Sequence, residues 1–154
     1  MQDALVELIE ARAIEQLMVR YVERIDANDP VGAAACFAPD GVGDYWGLYE
    51  GRVAIAERLS GILDQFSATS HHLSNIRPVL AGDRATSLAY VYAFHRYRST
   101  NEPFHVWGRW VDELVKLDGE WLFARREVHL VGSYRVGDRD AERVHPGHPG
   151  RLVR

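Results

Sequence analysis

Two adjacent histidines and one distant carboxylate are the residues of this sequence best suited to proton transfer. His71 and His72 lie among small polar residues in segment 69–75, where a run of β-type residues begins. Neighbouring side chains of a strand point to opposite faces, so only one of the two imidazoles can face a given cavity. Imidazole is the commonest general acid or base near neutral pH. Asp26 ends a long amphipathic helix, where its charge opposes the helix dipole, and this mild cost favours a role in orienting a histidine.

Three predicted helices precede these histidines. Apolar residues recur every three or four positions over 4–27, which predicts one long helix. Asn28-Asp29-Pro30 breaks it, and Pro30 is typical of the first turn of a short second helix, which we expect to run through Phe37. A turn is predicted at 39–41 and a third helix over 51–66.

From Thr69 onward the sequence is typical of β-structure. Turn signals separate the runs, and Asp118-Gly119 indicates a tight hairpin. The predicted strands are 69–80, 84–98, 104–117 and 120–134, preceded by a short strand or structured loop at 42–50. Helices followed by an antiparallel meander predict a single α+β domain over 1–134, in which a curved sheet closes over about three helices. The charged, Pro/Gly-rich segment 135–154 is predicted to be a tail or a lid over the pocket.

The second long strand predicts a cavity on one face and a covered surface on the other. Mostly small residues alternate with bulky ones along it. The first set is Ala85, Ser87, Ala89, Val91, Ala93 and His95, and the bulky set is Leu88, Tyr90, Tyr92 and Phe94. The small face leaves room for a cavity between sheet and helices. The bulky face favours burial, so we expect a homo-oligomer in which a partner subunit covers it, or else packing of the C-terminal tail on it.

Composition and charge argue against several classes of protein. The 154 residues are 47% hydrophobic, which fits one globular domain with a core, and a net charge of -4 does not suggest nucleic-acid binding. A single cysteine, Cys36, excludes an internal disulfide framework and a cysteine-rich zinc site. His145 and His148 lack a third ligand nearby, so no metal is expected. Without a signal-peptide pattern or a run of about 20 apolar residues, we expect a soluble, cytoplasmic protein that binds no membrane.

Ordered landmarks along the chain resemble one family. They are Tyr21-Val22-Glu23-Arg24-Ile25-Asp26, Phe37-Ala38-Pro39-Asp40-Gly41, the segment 69–75, Phe94-His95-Arg96-Tyr97, Gly108-Arg109-Trp110-Val111-Asp112 and Asp118-Gly119-Glu120-Trp121. Over roughly 8–134 their order and spacing resemble scytalone-dehydratase-like, SnoaL-like members of the nuclear transport factor 2-like superfamily, which implies the small α+β cone fold. The superfamily hosts dehydratases, dehydrohalogenases, isomerases, cyclases and non-catalytic subunits, so the landmarks specify the fold better than the reaction.

The resemblance also implies candidate catalytic residues. It places the family's acidic residue at Asp26, its first strand histidine at His71 and its second histidine at His95. A pocket tyrosine falls at Tyr45 and a helix tyrosine at Tyr21. In the implied elimination, His71, oriented by Asp26, removes a proton α to a carbonyl, and Tyr45, together with Tyr21, donates to the developing enolate oxygen. His95 protonates the departing hydroxyl, and no metal or organic cofactor is needed.

Several other residues are given structural roles. His72, His105 and His129 are expected to be structural, and Cys36 to be buried and inert. Trp46, Trp107 and Trp110 are expected to line the pocket or core, which favours a flat, apolar or aromatic small-molecule ligand. Arg125 and Arg126 are expected to form ion pairs with residues such as Glu127 or Asp112.

The first functional hypothesis is a cofactor-independent dehydratase acting on a hydroxylated cyclic or polyketide-like ketone. A ketosteroid-type isomerase, a polyketide cyclase or a dehydrohalogenase would use the same proton chemistry with a different outcome. A non-catalytic binding or assembly subunit is the hypothesis from another class, and it predicts a cavity filled by side chains. For the homo-oligomer, the family resemblance favours a trimer, with a dimer as the alternative.

Overall fold

Helices cover one face of a curved, open sheet in the computed structural model, which describes residues 2–135 and 143–144. The helices are α1 (Gln2–Asp26), α2 (Pro30–Ala34) and α3 (Gly51–Leu63). The strands are β1 (Phe37–Asp44), β2 (Leu48–Glu50), β3 (Phe66–Ala81), β4 (Arg84–Tyr97), β5 (Pro103–Leu117), β6 (Glu120–Arg135) and β7 (Arg143–Val144). Their order is β2-β1-β6-β5-β4-β3, and β7 pairs with β6. Only the β1–β6 pair is parallel among these strands, so the predicted α+β class with a mostly antiparallel sheet is confirmed.

The long helix α1 buries one stripe of its surface against the sheet. Its buried side chains recur every three or four residues from Ile14 to Ile25, as a helix packed on one face requires. The first turns depart from the sequence prediction, because Leu5 and Leu8 are 57% and 67% exposed. The buried stripe begins only at Ile14, so the start of the helix lies outside the core.

Segment 35–44 also differs from the sequence prediction. The second helix ends at Ala34 instead of reaching Phe37, and the expected turn at 39–41 lies inside strand β1. The register of β1 against β6 shifts there. A β-carbon on Gly41 would lie 2.8 Å from the carbonyl oxygen of Phe123, so glycine permits a close backbone approach. Pro39, which has no N–H to donate, tolerates this irregular pairing. The turn-forming residues therefore produce a bulge in a strand.

The antiparallel meander follows the predicted order. Asp118 and Gly119 take φ values of 50° and 85°, as a tight hairpin turn requires. Along β4, the mostly small residues point toward the helices, and the buried ones are Ala85, Ser87, Ala89, Val91 and Ala93. These small side chains leave space between sheet and helices where larger ones would fill it.

The outer face of the sheet carries the bulky residues and a cluster of aromatic rings. The Tyr92 hydroxyl lies 2.7 Å from Nδ1 of His105, and its ring contacts His72 and Trp107 at centroid distances of 5.7 Å. Trp107 is 44% exposed on this face, so the expectation that it lines the pocket or core is wrong. Residues 106 and 108 point the other way because neighbours in a strand alternate, and they line the cavity instead.

The remaining sequence predictions concern the chain ends and the membrane. Within the described residues, no helix is long and apolar enough to cross a membrane. The predicted tail or lid over 135–154 lies outside the described residues, apart from Arg135 in β6 and strand β7. His145 and His148 lie outside them as well.

Candidate active site

The Asp26 carboxylate joins the end of α1 to the start of β3. Its Oδ1 lies 2.7 Å from Nδ1 of His71 and accepts a 2.9 Å hydrogen bond from the Thr69 hydroxyl. Its Oδ2 accepts the backbone N–H of His71 at 2.8 Å. Because a carboxylate only accepts, it holds the proton of the neutral imidazole on Nδ1 and leaves the Nε2 lone pair free. The geometry therefore joins an imidazole with a free ring nitrogen to the carboxylate that orients it.

The same hydrogen bonds keep Asp26 ionised. Burial alone would raise the pKa of its carboxyl, but hydrogen bonds from the side chain and backbone of His71, its charge, and Thr69 lower that pKa below its ordinary value. These contacts also offset the cost of an acid at a helix C-terminus. An ionised Asp26 stabilises the imidazolium that forms when His71 takes a proton.

His95 reaches the same place from β4. Its ring lies edge to face with that of His71, 5.2 Å between centroids, and packs on Phe66 at 4.6 Å. Burial, reinforced by repulsion from His71, lowers the pKa of His95 to about 4, so the imidazole is neutral at neutral pH. Its Nδ1 is buried without a hydrogen-bond partner in the described part of the chain. A buried polar atom in this state costs about 1–3 kcal/mol.

Two buried tyrosines form another part of the site. The hydroxyls of Tyr21, from α1, and Tyr45, from the loop after β1, lie 2.8 Å apart. Burial raises the pKa of Tyr21 and raises that of Tyr45 well above its ordinary value, so both are protonated at neutral pH. Since one hydroxyl donates to the other, one O–H of the pair stays available for a ligand oxygen. Arg58 holds Tyr45 in place by donating from Nη2 to its backbone carbonyl at 2.9 Å.

A buried ion pair packs against Tyr21. Arg126 donates from Nε and Nη2 to the two carboxylate oxygens of Asp112 at 2.7 and 2.8 Å, and both side chains are fully buried. The guanidinium carbon lies 4.4 Å from the ring centroid of Tyr21, 4.3 Å from that of Trp110 and 3.8 Å from that of Phe123. Burial alone would lower the pKa of Arg126, but the Asp112 carboxylate raises it. The cation opposes part of the rise in pKa of both tyrosines, whereas the Asp112 carboxylate adds to the rise for Tyr45.

These groups open onto one cavity of about 380 Å³. Tyr21, Tyr45, His71 and His95 all line it, whereas Asp26 lies behind His71. The wall is otherwise largely apolar and includes Ile25, Leu59, Ile62, Leu63, Phe66, Val91, Ala93, Phe104, Val106, Trp110, Val128 and Leu130. A cavity of this size and character suits a small, mostly apolar ligand held by a few polar contacts.

Exposure marks where the cavity meets solvent. Trp46 and Gln65 are its exposed lining residues, so they identify its mouth. Trp46 and Trp110 thus line the pocket as expected.

Within the described residues, no group of three His, Cys, Asp or Glu side chains is placed to hold a metal ion.

The structure brings the five sequence-predicted site residues together and adds one group that sequence reasoning missed. The expected ion pairs exist: Arg126 pairs with Asp112, and Arg125 with Glu127 on the other face. The sequence predicts only that Arg126 forms an ion pair on the sheet, with no role in the site. Alternation indicated that Arg125 and Arg126 face opposite ways, but only the pairing with β1 and β5 decides which of them is buried beside the tyrosines.

Comparison with known proteins identifies the family. The SnoaL-like domain matches residues 6–127. The chain belongs to the SnoaL-like family. A putative scytalone dehydratase from Novosphingobium aromaticivorans DSM 12444 is 34% identical, with a TM-score of 0.82 over 99% of this chain and 100% of that chain. Rv3472, a protein of unknown function from Mycobacterium tuberculosis, is 26% identical, with a TM-score of 0.71 over 80% of this chain and 77% of that one. None of the curated proteins matches the sequence.

Solved structures of lower sequence identity share the architecture. Hexachlorocyclohexane dehydrochlorinase LinA type 2 is 18% identical, with a TM-score of 0.80 over 96% of this chain and 99% of that one. At that identity the likeness shows the fold alone. The expected nuclear transport factor 2-like fold is therefore confirmed, and the structural neighbours of this SnoaL-like chain include a putative scytalone dehydratase and a hexachlorocyclohexane dehydrochlorinase.

The neutral state of His95 predicts how stability depends on pH. Because its pKa is about 4 in the fold and about 6.5 when unfolded, the unfolded chain binds more protons between those values. This contribution is present above about pH 6.5 and is lost as the pH falls toward 4, by up to about 1.4 kcal/mol per unit. Urea unfolding at several pH values should show a shallower pH slope for His95→Asn than for the natural chain. Equal slopes would contradict the burial of a neutral imidazole.

The buried ion pair predicts that removing one of its charges destabilises the fold more than removing both. Asp112→Ala leaves the Arg126 charge buried and unpaired, so we expect the free energy of unfolding to fall by about 3–5 kcal/mol. The double variant Asp112→Leu, Arg126→Met removes both charges and should cost markedly less. Chemical denaturation of both proteins checks this. A double variant that is no more stable than the single one would show that the charges are not coupled.

Proposed function

We propose that this SnoaL-like protein is a cofactor-independent lyase that removes water from a hydroxylated cyclic ketone. The observation that carries the proposal is the 2.7 Å contact between His71 and Asp26 at the wall of an open, mostly apolar cavity. An oriented imidazole whose other nitrogen is free can act as a base. The 34% identity to a putative scytalone dehydratase supports a dehydratase.

The first step is removal of the proton on the carbon next to the carbonyl. Nε2 of His71 takes this proton, and the electron pair of the broken C–H bond moves toward the carbonyl oxygen. The ionised Asp26 stabilises the resulting imidazolium through Nδ1. A positioned base of this kind contributes about 10²–10⁴-fold to the rate.

The tyrosine pair stabilises the charge that develops on the carbonyl oxygen. The free O–H of the pair donates to that oxygen as the enolate forms. The fully buried Arg126 beside Tyr21 adds a fixed positive charge that needs no rearrangement during the reaction. Arg58 fixes the backbone of Tyr45 by a hydrogen bond to its carbonyl, so the tyrosine hydroxyl is positioned before substrate binds.

The second step expels the hydroxyl at the β-carbon. The enolate electrons form the C=C bond as the C–O bond breaks, and the leaving oxygen receives the proton that His71 took, which releases water and restores the base. His95 is neutral, so it binds the leaving hydroxyl by a hydrogen bond and does not supply a proton from an imidazolium. The 5.2 Å between the two rings allows both to reach one hydroxyl.

The other enzymatic readings share the first step only. An isomerase or a polyketide cyclase needs the base and the enolate stabiliser, and a dehydrohalogenase expels a halide that requires no proton. The neutral His95 imidazole at the cavity wall can hydrogen-bond a leaving hydroxyl, and the 34% identity to a putative scytalone dehydratase is why we place elimination of water first. The open cavity also argues against a non-catalytic subunit, for which a filled cavity is expected.

Proton abstraction and elimination can be measured separately. One- and two-ring β-hydroxyketones deuterated at the α-carbon would be incubated with the protein, and NMR would follow deuterium loss and enone formation. We expect His71→Gln to lower both rates by about 10²–10⁴-fold, and Asp26→Asn to lower them with little change in KM, because the imidazole loses its orientation.

The matched control is His72→Gln, since that imidazole points to the outer face of the sheet. It should keep nearly the natural rates. Full exchange by His71→Gln would refute the assignment of the base. Exchange without enone formation would favour the isomerase or cyclase reading.

We also propose that the outer face of the sheet is covered by further copies of the chain. The cluster around Tyr92, His105 and Trp107 leaves aromatic surface in solvent, and Trp107 is 44% exposed. Burial of such a patch between copies would stabilise a homo-oligomer, with a trimer favoured and a dimer as the alternative.

The oligomer is tested by light scattering during size-exclusion chromatography. We expect the natural chain to elute as a trimer or dimer, and Trp107→Asp to elute as a monomer because a charge would be buried in the interface. Val53→Asp, at a 75% exposed position of α3, is the matched control and should keep the natural mass. A monomeric natural chain would refute the proposal.

A further inference from the structure

Trp46 combines two properties that rarely occur together. It lines the cavity that holds His71 and Tyr45, yet its side chain is 61% exposed. A tryptophan offers a large apolar surface, most of which stays in contact with water here. Packing of the protein core therefore does not account for this side chain.

The backbone of Trp46 is also unusual. Its φ is +60°, in the left-handed region that glycine and asparagine adopt readily and other residues avoid. A bulky residue in that region costs of order 1–2 kcal/mol, and such residues cluster at functional sites. The strain has a structural effect, because it directs the chain through the tight connection between β1 and β2.

The neighbours of Trp46 are firmly held. Tyr45 donates its backbone N–H to the carbonyl of Gly47 at 3.1 Å, which closes the connection. The carbonyl of Tyr45 accepts from Arg58, and its hydroxyl contacts Tyr21. The backbone at position 46 is thus fixed relative to the oxygen-binding end of the site, while the indole remains free to meet a ligand at the mouth.

We propose that Trp46 determines substrate specificity by laying its indole against the ring of a flat, uncharged substrate whose reacting end reaches His71 and Tyr45. The location of the reacting end rests on the proposed function, whereas the ring contact does not. The largely apolar wall, with Trp110, Phe66 and Phe104 further in, accommodates the rest of such a ring system. Contacts between aromatic rings contribute about 0.5–1.5 kcal/mol beyond the area they bury, so a flat aromatic ring gains more than a puckered one.

Two probes with the same two-ring carbon skeleton, one flat and one puckered, distinguish a contact between aromatic rings from burial of any apolar surface. Binding of 2-naphthol, which is flat, and 2-decalol, which is saturated and puckered, would be measured by calorimetric titration. We expect Trp46→Ala to raise the Kd of 2-naphthol by about tenfold and that of 2-decalol by at most about threefold, with Trp46→Phe keeping most of the preference. Neither probe undergoes the proposed elimination, so the result is independent of whether His71 acts as a base.

Leu48→Ala is the matched control, because Leu48 is 60% exposed and lies two residues from Trp46 but does not line the cavity. It should leave both Kd values unchanged. Trp46→Asn provides a second variant that suits a left-handed backbone, in case the alanine protein folds poorly. Equal weakening of both probes, or of neither, by Trp46→Ala and Trp46→Asn would overturn the proposal.

Discussion

The contact between the Asp26 carboxylate and strand β3 is the constraint on which the site depends. It accepts from Thr69 and from both the backbone and the ring of His71, so it ties the last residue of the long helix to the sheet at the place where the cavity begins. A single carboxylate thereby positions the layers and the base together. These hydrogen bonds offset the cost of its partial burial and fix the orientation of the imidazole.

The cavity has two polar regions with different electrostatic characters. Around His71, the ionised, half-buried Asp26 lies against one nitrogen of the imidazole, and His95 nearby stays neutral. Around the tyrosine pair, the buried Arg126 favours negative charge on an oxygen. Abstraction of a proton creates a cation at the first region and an anion at the second, so each charge forms where the protein already stabilises it.

The sequence predicts those features that depend on residues close together in the chain, and it fails for features that depend on which strands pair. Periodicity located the long helix and the meander, because burial on one face imposes it directly. The C-terminal end of the second helix and the turn at 39–41 differ from the prediction, since Pro39 and Gly41 form a turn or a strand bulge depending on the partner strand, and β6 lies about eighty residues away. The burial of Arg126 and the outward direction of Trp107 likewise depend on strand register, which pattern alone leaves open. The residues at the Asp26–His71 contact came from ordered family landmarks, which already contain such long-range information.

The residues proposed to react and the residue proposed to recognise the substrate ring are positioned in different ways. The groups proposed to react are each fixed by buried partners: His71 by Asp26, and Tyr45 by Tyr21 and Arg58. The residue proposed to recognise the ring, Trp46, sits on a fixed backbone with a solvent-facing side chain. On these proposals, a change at position 46 alters which molecules bind, whereas a change at Asp26 or Arg126 disturbs the proposed proton transfer whatever is bound. Such a division lets one arrangement of base and oxygen-binding groups serve many ring systems, and it explains in physical terms why a single fold of this kind carries several reactions.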